Sequence, residues 1–136
     1  MKATLLLCDA AQEFGGKLSI LGGGWTHVNV TNPITMALAI LIEVPWDETN
    51  RPIPIEGKLM TADGDPVEFA QSSGETQPVM FGARLEVGRP PGVKPGTTLN
   101  AAMAVTFTSV VLVPGLYRWE LDVDNNQAAV AAFYGV

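Results

Sequence analysis

Over long stretches of this chain, apolar and polar side chains take turns. Tyr117, Trp119, Leu121 and Val123 alternate with Arg118, Glu120, Asp122 and Asp124. Leu99, Ala101, Met103, Val105 and Phe107 alternate with Asn100, Ala102, Ala104, Thr106 and Thr108. Ile53, Ile55, Gly57 and Leu59 do the same with Pro54, Glu56, Lys58 and Met60. A period of two sends successive side chains to opposite faces of a strand, whereas a helix repeats about every 3.6 residues. A chain built this way buries its apolar half by packing sheet against sheet. Pro52 and Pro54 have no backbone donor, so the start of the third run is expected at a sheet edge or outside the ladder.

Residues 35–44 are apolar almost without interruption. A short helix would fit that run, but Pro33 and Pro45 bracket it and its β-branched residues favour a central strand buried on both faces. Further strands are expected at residues 3–8, 17–21, 25–30, 66–70, 79–87 and 127–134, the last alanine-rich enough for a helix to compete. Turn chemistry separates them: Phe14-Gly-Gly-Lys17, Asp63-Gly-Asp-Pro66, Pro114-Gly115 and Asn125-Asn126. The longest loop, residues 89–96, is stiffened by Pro90, Pro91 and Pro95. Many short strands with such turns predict an all-β fold, a single antiparallel β-sandwich of immunoglobulin-like or Greek-key type spanning residues 1–136. In Leu112-Val-Pro-Gly-Leu-Tyr117, a tyrosine opening a strand just after a Pro-Gly turn resembles the corner at which such sandwiches tie a tyrosine hydroxyl to upstream backbone.

Charge and composition narrow the function. The 136 residues carry a formal net charge of -6 and no cluster of Lys or Arg, which argues against nucleic acid and anionic membrane partners. Only 16% of residues are charged, against about 25% in an ordinary globular domain, while 47% are hydrophobic. A monomeric domain of this size exposes about 6,800 Å². So few charges cover that surface poorly, and a protein partner is the expected cover. The start, Met-Lys-Ala-Thr-Leu-Leu-Leu-Cys8, mimics an export signal, but its apolar run is shorter than the roughly 7–15 residues such a signal needs. The expectation is a chain made in the cytoplasm without a signal peptide, with Cys8 buried as a small hydrophobe.

The chain lacks the familiar catalytic patterns. Ser19-Ile-Leu-Gly-Gly-Gly-Trp-Thr-His27 holds three glycines and the single histidine. Gly22 and Gly24 match the opening of a dinucleotide fingerprint, but His27 stands where its third glycine belongs, and a strand follows. Gly16-Lys17 is followed by Leu18, and Ala11 replaces the first glycine of a phosphate loop. Ser19, Ser72, Ser73 and Ser109 all lack the Gly-x-Ser-x-Gly setting. A Cys8–His27 couple would need a strand thiol activated with no cation near it in sequence. One His and one Cys exclude the usual zinc sets, and Asp122, Asp124 and the Asp63-Gly-Asp65 turn lack a calcium ligand array. No metal and no cofactor is expected. The glycines read instead as a turn or bulge between two strands, with Trp25 covering their bare backbone.

Cys8-Asp9, Gly16-Lys17-Leu18, Gly22 to Trp25, Pro45-Trp46, Asn50-Arg51 and Asp63-Gly64 together resemble the pattern of an uncharacterised family of small bacterial and phage-borne proteins. The resemblance covers about the first half of the chain and implies a compact all-β module without catalytic residues. The function expected is a non-enzymatic β-sandwich subunit of a homo-oligomer or larger assembly, in its most concrete form a phage virion accessory such as a capsid decoration protein. The candidate contacts are Trp46, Asp47, Asn50 and Arg51 in one loop, with Arg89, Pro90, Pro91, Lys94 and Pro95 in another, beside the N-terminal strand. The rival is a carbohydrate-binding module with Trp46 or Trp25 as the sugar platform. A small enzyme using His27 or an acid pair stands third.

Overall fold

A computed structural model describes residues 1–70 and 73–136; Ser72, one of the serines weighed above, lies outside them. The described chain is all-β. Its strands are β1 (Lys2–Phe14), β2 (Lys17–Gly23), β3 (His27–Val28), β4 (Ile34–Val44), β5 (Pro52–Thr61), β6 (Glu68–Ala70), β7 (Thr76–Pro78), β8 (Met80–Glu86), β9 (Leu99–Val110), β10 (Gly115–Val123) and β11 (Asn126–Gly135). They form a four-stranded sheet in the order β2-β1-β4-β9, a five-stranded sheet in the order β3-β11-β10-β5-β8, and a small β6-β7 ladder, none of them closed. Pairing is antiparallel except where β3 runs parallel to β11. Among the described residues the one helical piece is a single 3-10 turn at Trp46–Glu48, and no helix is long and apolar enough to cross a membrane.

The alternation does what its period demands. Tyr117, Trp119, Leu121 and Val123 are buried, as are Ile53, Ile55 and Leu59 of the neighbouring β5. From the four-stranded sheet, Met36, Leu38, Ile40, Ile42 and Val44 face them in one hydrophobic cluster. Trp119 joins the two layers: its ring lies 5.2 Å from that of Phe107, and its Nε1 donates to Met36 Sδ at 3.2 Å. The indole thus buries its area without leaving its donor unpaired. Gly57 leaves a gap on β5 that Phe81 fills, since a Cβ there would stand 2.1 Å from the Phe81 ring. Between β1 and β9, β4 is central and buried on both faces, as its unbroken apolar run predicts.

The alanine-rich segment 127–134 is strand β11, not helix, because its residues pair with β10 behind a tight turn, all but Ala128, which falls where the register shifts between Leu121 and Asp122. Asp124 and Asn125 both take positive φ (56° and 66°), the geometry of a two-residue hairpin turn that matches strand twist. The tyrosine corner forms: Tyr117 Oη donates to Val113 O at 2.6 Å. The prolines of β5 do not stand at a sheet edge, since β5 lies between β10 and β8 and Pro52 and Pro54 pair with Glu86 and Arg84. The β10 ladder, however, ends at Ile55. Pro54 O accepts from Asp124 N on the β10 side, so its donorless nitrogen faces the same way, past the end of that ladder. The segment expected as a strand over residues 25–30 shrinks to β3, and β1 runs six residues beyond Cys8.

The glycine run is a crossing between layers. β2 ends in the four-stranded sheet at Gly23, and β3 begins in the five-stranded one at His27. Gly22 takes a φ of 60°, and a Cβ there would stand 2.0 Å from Asp9 Oδ2, so glycine lets the chain turn against β1 without displacing the Asp9 side chain. Gly24 N then donates to Leu7 O at 2.7 Å, which fixes the crossing to the neighbouring strand.

Candidate functional site

The two loops named as candidate contacts meet. After β4, Pro45 opens the 3-10 turn, in which Glu48 N donates to Pro45 O at 2.9 Å. Thr49, buried at 8% exposure, closes the turn by donating Oγ1 to Trp46 O at 2.7 Å. Asn50 adopts a φ of 59°, a region that Asn tolerates better than most residues, and its N donates to Val87 O, one residue past β8. That reversal aims Arg51 back across the turn. Its Nε donates to Glu48 Oε2 at 2.8 Å, and Nη1 and Nη2 form a fork on Asp124 Oδ1 and Oδ2 at 3.2 and 2.9 Å. A guanidinium is suited to this because its planar donors match a carboxylate two at a time. These bonds from Arg51 hold the Asp124 carboxyl below the usual carboxylate range.

A second arginine locks the other loop on. Arg89 donates Nε to Thr49 Oγ1 and Nη2 to Trp46 O, both at 2.8 Å, and its guanidinium carbon lies 4.3 Å above the Trp46 ring. Beyond it come two successive reversals. Val93 N donates to Pro90 O at 3.3 Å and Thr97 N to Lys94 O at 3.2 Å, with Gly92 and Gly96 at φ of 87° and 90°. Proline second and a positive-φ glycine third is the pattern of a type II turn, so Pro91-Gly92 and Pro95-Gly96 each specify one. Asp47, Asn50, Arg89, Pro90, Pro91, Lys94 and Pro95 remain exposed on this end of the molecule.

Trp46 is half-buried, with the Arg89 guanidinium over one face of its ring. The place of Asp124 is corrected. β10 ends at Val123, and the positive-φ turn carries Asp124 away from Asp122 to Arg51. Glu48, Thr49 and Asp124 complete the lock, a part that the sequence does not assign to them. Glu48 was the discernible one, since a carboxylate three residues before an arginine is a local pair, while Asp124 lies 73 residues away from Arg51.

Two further places hold residues with chemistry. A cleft of about 370 Å³ at the layer crossing is lined by Asp9, the three glycines, Trp25, His27 and Val28. Trp25 is half-buried edge-on against Phe133, with its Nε1 buried and unpaired. Cys8 is fully buried, its Sγ 3.4 Å from Ala37 O, and burial followed by the Asp9 charge pushes the thiol up, the opposite of what activates a nucleophile.

Among curated proteins and among solved structures, nothing matches the chain. A family of unknown function, DUF6941, matches residues 3–134.

Proposed function

The chain belongs to DUF6941, and we propose that it works as a non-enzymatic docking subunit of a larger protein assembly, a β-sandwich of immunoglobulin-like type that presents its arginine-locked loops to a partner. The observation that carries this reading is the double lock itself. Arg51 ties the Trp46–Glu48 turn to the β10–β11 turn, and Arg89 ties the proline loop to the same tryptophan. Loops held this way are ordered before any partner arrives, which lowers the entropy lost on docking. The surface supports it as well: the chain exposes 7891 Å², above the roughly 6,800 Å² expected of a compact monomer of its size. A capsid-decorating subunit is the most concrete form of the reading.

The test is site-specific photo-crosslinking in the cells or particles that make the protein. A crosslinker at Lys94 is expected to capture one defined protein, whereas one at Lys58, on the outer face of the five-stranded sheet, captures none. Equal capture from both positions, or none from Lys94, overturns the proposal.

A second reading, a ligand-binding module with Trp46 or Trp25 as its platform, is favoured at Trp25 by the cleft it shares with Asp9 and His27. Glycan-array binding that Trp25→Ala abolishes while the fold persists would favour it.

A further inference from the structure

Sheet edges expose unpaired backbone donors and acceptors, and proteins that stay apart protect them with charge, proline, bulges or brevity. Three of the four edges of the two large sheets are protected so. β3 is two residues long, β2 carries Lys17 and the positive-φ Gly22, and β8 carries Arg84 and Glu86. The fourth, β9, runs for 12 residues without one charge or proline.

We propose that β9 is a pairing edge and that its occupant is β9 of a second copy, related by a two-fold axis. Such an axis brings two identical strands together antiparallel, so one edge satisfies itself. Electrostatics select the place: two chains of net charge -6 repel, and β9 is the long edge at which neither presents a charge. Packing agrees. Met103, Val105 and Phe107 belong to the core face yet stay half-buried at the open side of the layers, where a facing strand would cover them. On the other face Ala102 and Ala104, in register with Leu41 and Ala39, are small and half-buried, while Thr106 is exposed.

The flanks set the register. Glu13 and Gly16 border a groove with Asn100, Ala101 and Ala102, and Phe69 borders Phe107 to Val110. Ser109, at a φ of 56°, lies in the stretch where pairing with β4 shifts, which ends the regular ladder. The pairing segment is therefore residues 102–106, centred on Ala104, with Ala102 opposite Thr106 of the second copy. The two four-stranded sheets then become one continuous sheet.

This inference uses a different surface from the arginine-locked loops and stands or falls apart from them. Native mass spectrometry and light scattering across a broad dilution series are expected to give twice the chain mass, halving on Ala104→Glu, which sets two carboxylates face to face at the axis. Thr106→Lys, at an exposed position, is expected to weaken the dimer without unfolding the chain. Hydrogen exchange on the unmodified protein is a readout that needs no variant: amides in residues 102–106 slow as concentration rises. A monomer at every concentration, a folded Ala104→Glu protein that stays dimeric, or concentration-dependent protection confined to other strands overturns the proposal.

Discussion

The two large sheets treat their outer faces in opposite ways. On the five-stranded sheet that face is a polar ladder: Lys58 pairs with Glu56 at 3.0 Å, Arg118 lies 3.5 Å from Glu120, and Glu120 stands opposite Lys58. It needs no cover. On the four-stranded sheet the corresponding face carries Cys8, Ala37 and Ala39, all buried, with Leu6, Ala11 and Leu18 packed against them. Their cover is the chain itself. The β1–β2 hairpin bends over them, so that Ala11 and Leu18 pack on this small-residue floor and the tip at Glu13 and Gly16 reaches Asn100 to Ala102 of β9. Small floor residues let the arm lie close. One face is stabilised by water, the other by a folded-back arm.

The largest expected contrast comes from one substitution made on both faces. Ala39→Asp buries a carboxylate without a partner and should cost about 3 kcal/mol or more. Ala132→Asp, exposed and opposite Arg118, should stay within about 0.5 kcal/mol. Urea unfolding of the two variants measures the difference, and equal effects would mean that the arm does not seal its floor. Next, Leu18→Ala thins the cover from above at a cost of about 1–2 kcal/mol for a half-buried leucine. It should also raise the rate at which Cys8 reacts with a thiol reagent, a readout that a general loss of stability is distinguished from by comparing it with an equally destabilised core variant.

The smallest effects lie in pH dependence, where the two sides of the molecule separate by sign. The Asp124 carboxyl is lowered by its bonds to Arg51, so its contribution is present above the ordinary carboxylate value and lost as pH falls through the lowered folded value. The Cys8 thiol is raised by burial and by Asp9, so its contribution is present below the ordinary thiol value of about 8.5 and lost as pH rises through the raised folded value. Asp124→Asn should flatten the acid limb of the stability profile alone, and Cys8→Ala the alkaline limb alone. If either variant flattened both limbs, the two faces would not be separate titrating systems.

Much of the fold and of the loop site is legible before any coordinates. Alternation marked the strands of the core, the unbroken apolar run of β4 marked its central place, and Tyr117 announced its corner. Pro91-Gly92 and Pro95-Gly96 carry the chemistry of the turns they make. These features are legible because they are local: side-chain period, proline φ and glycine φ act within a few residues. Even the three glycines after Leu21 could be recognised as a bend, since no helix follows them.

What tertiary structure decided is everything that depends on distant segments meeting. That Arg89, 43 residues on, lies over Trp46 is not recorded by any local pattern. Asp124 looked like one of an acidic pair until a turn delivered it to Arg51. The length of β1, the fold-back of its hairpin and the joining of the layers at Gly22 to Gly24 likewise follow from which strands find each other. By itself, the sequence determined that this chain is all-β, where its turns fall and which residues line its core, because those are consequences of periodicity and backbone sterics. Which loops form one surface, and which face is wet and which is roofed, came from packing, because burial is a property of the whole chain and no local pattern records it.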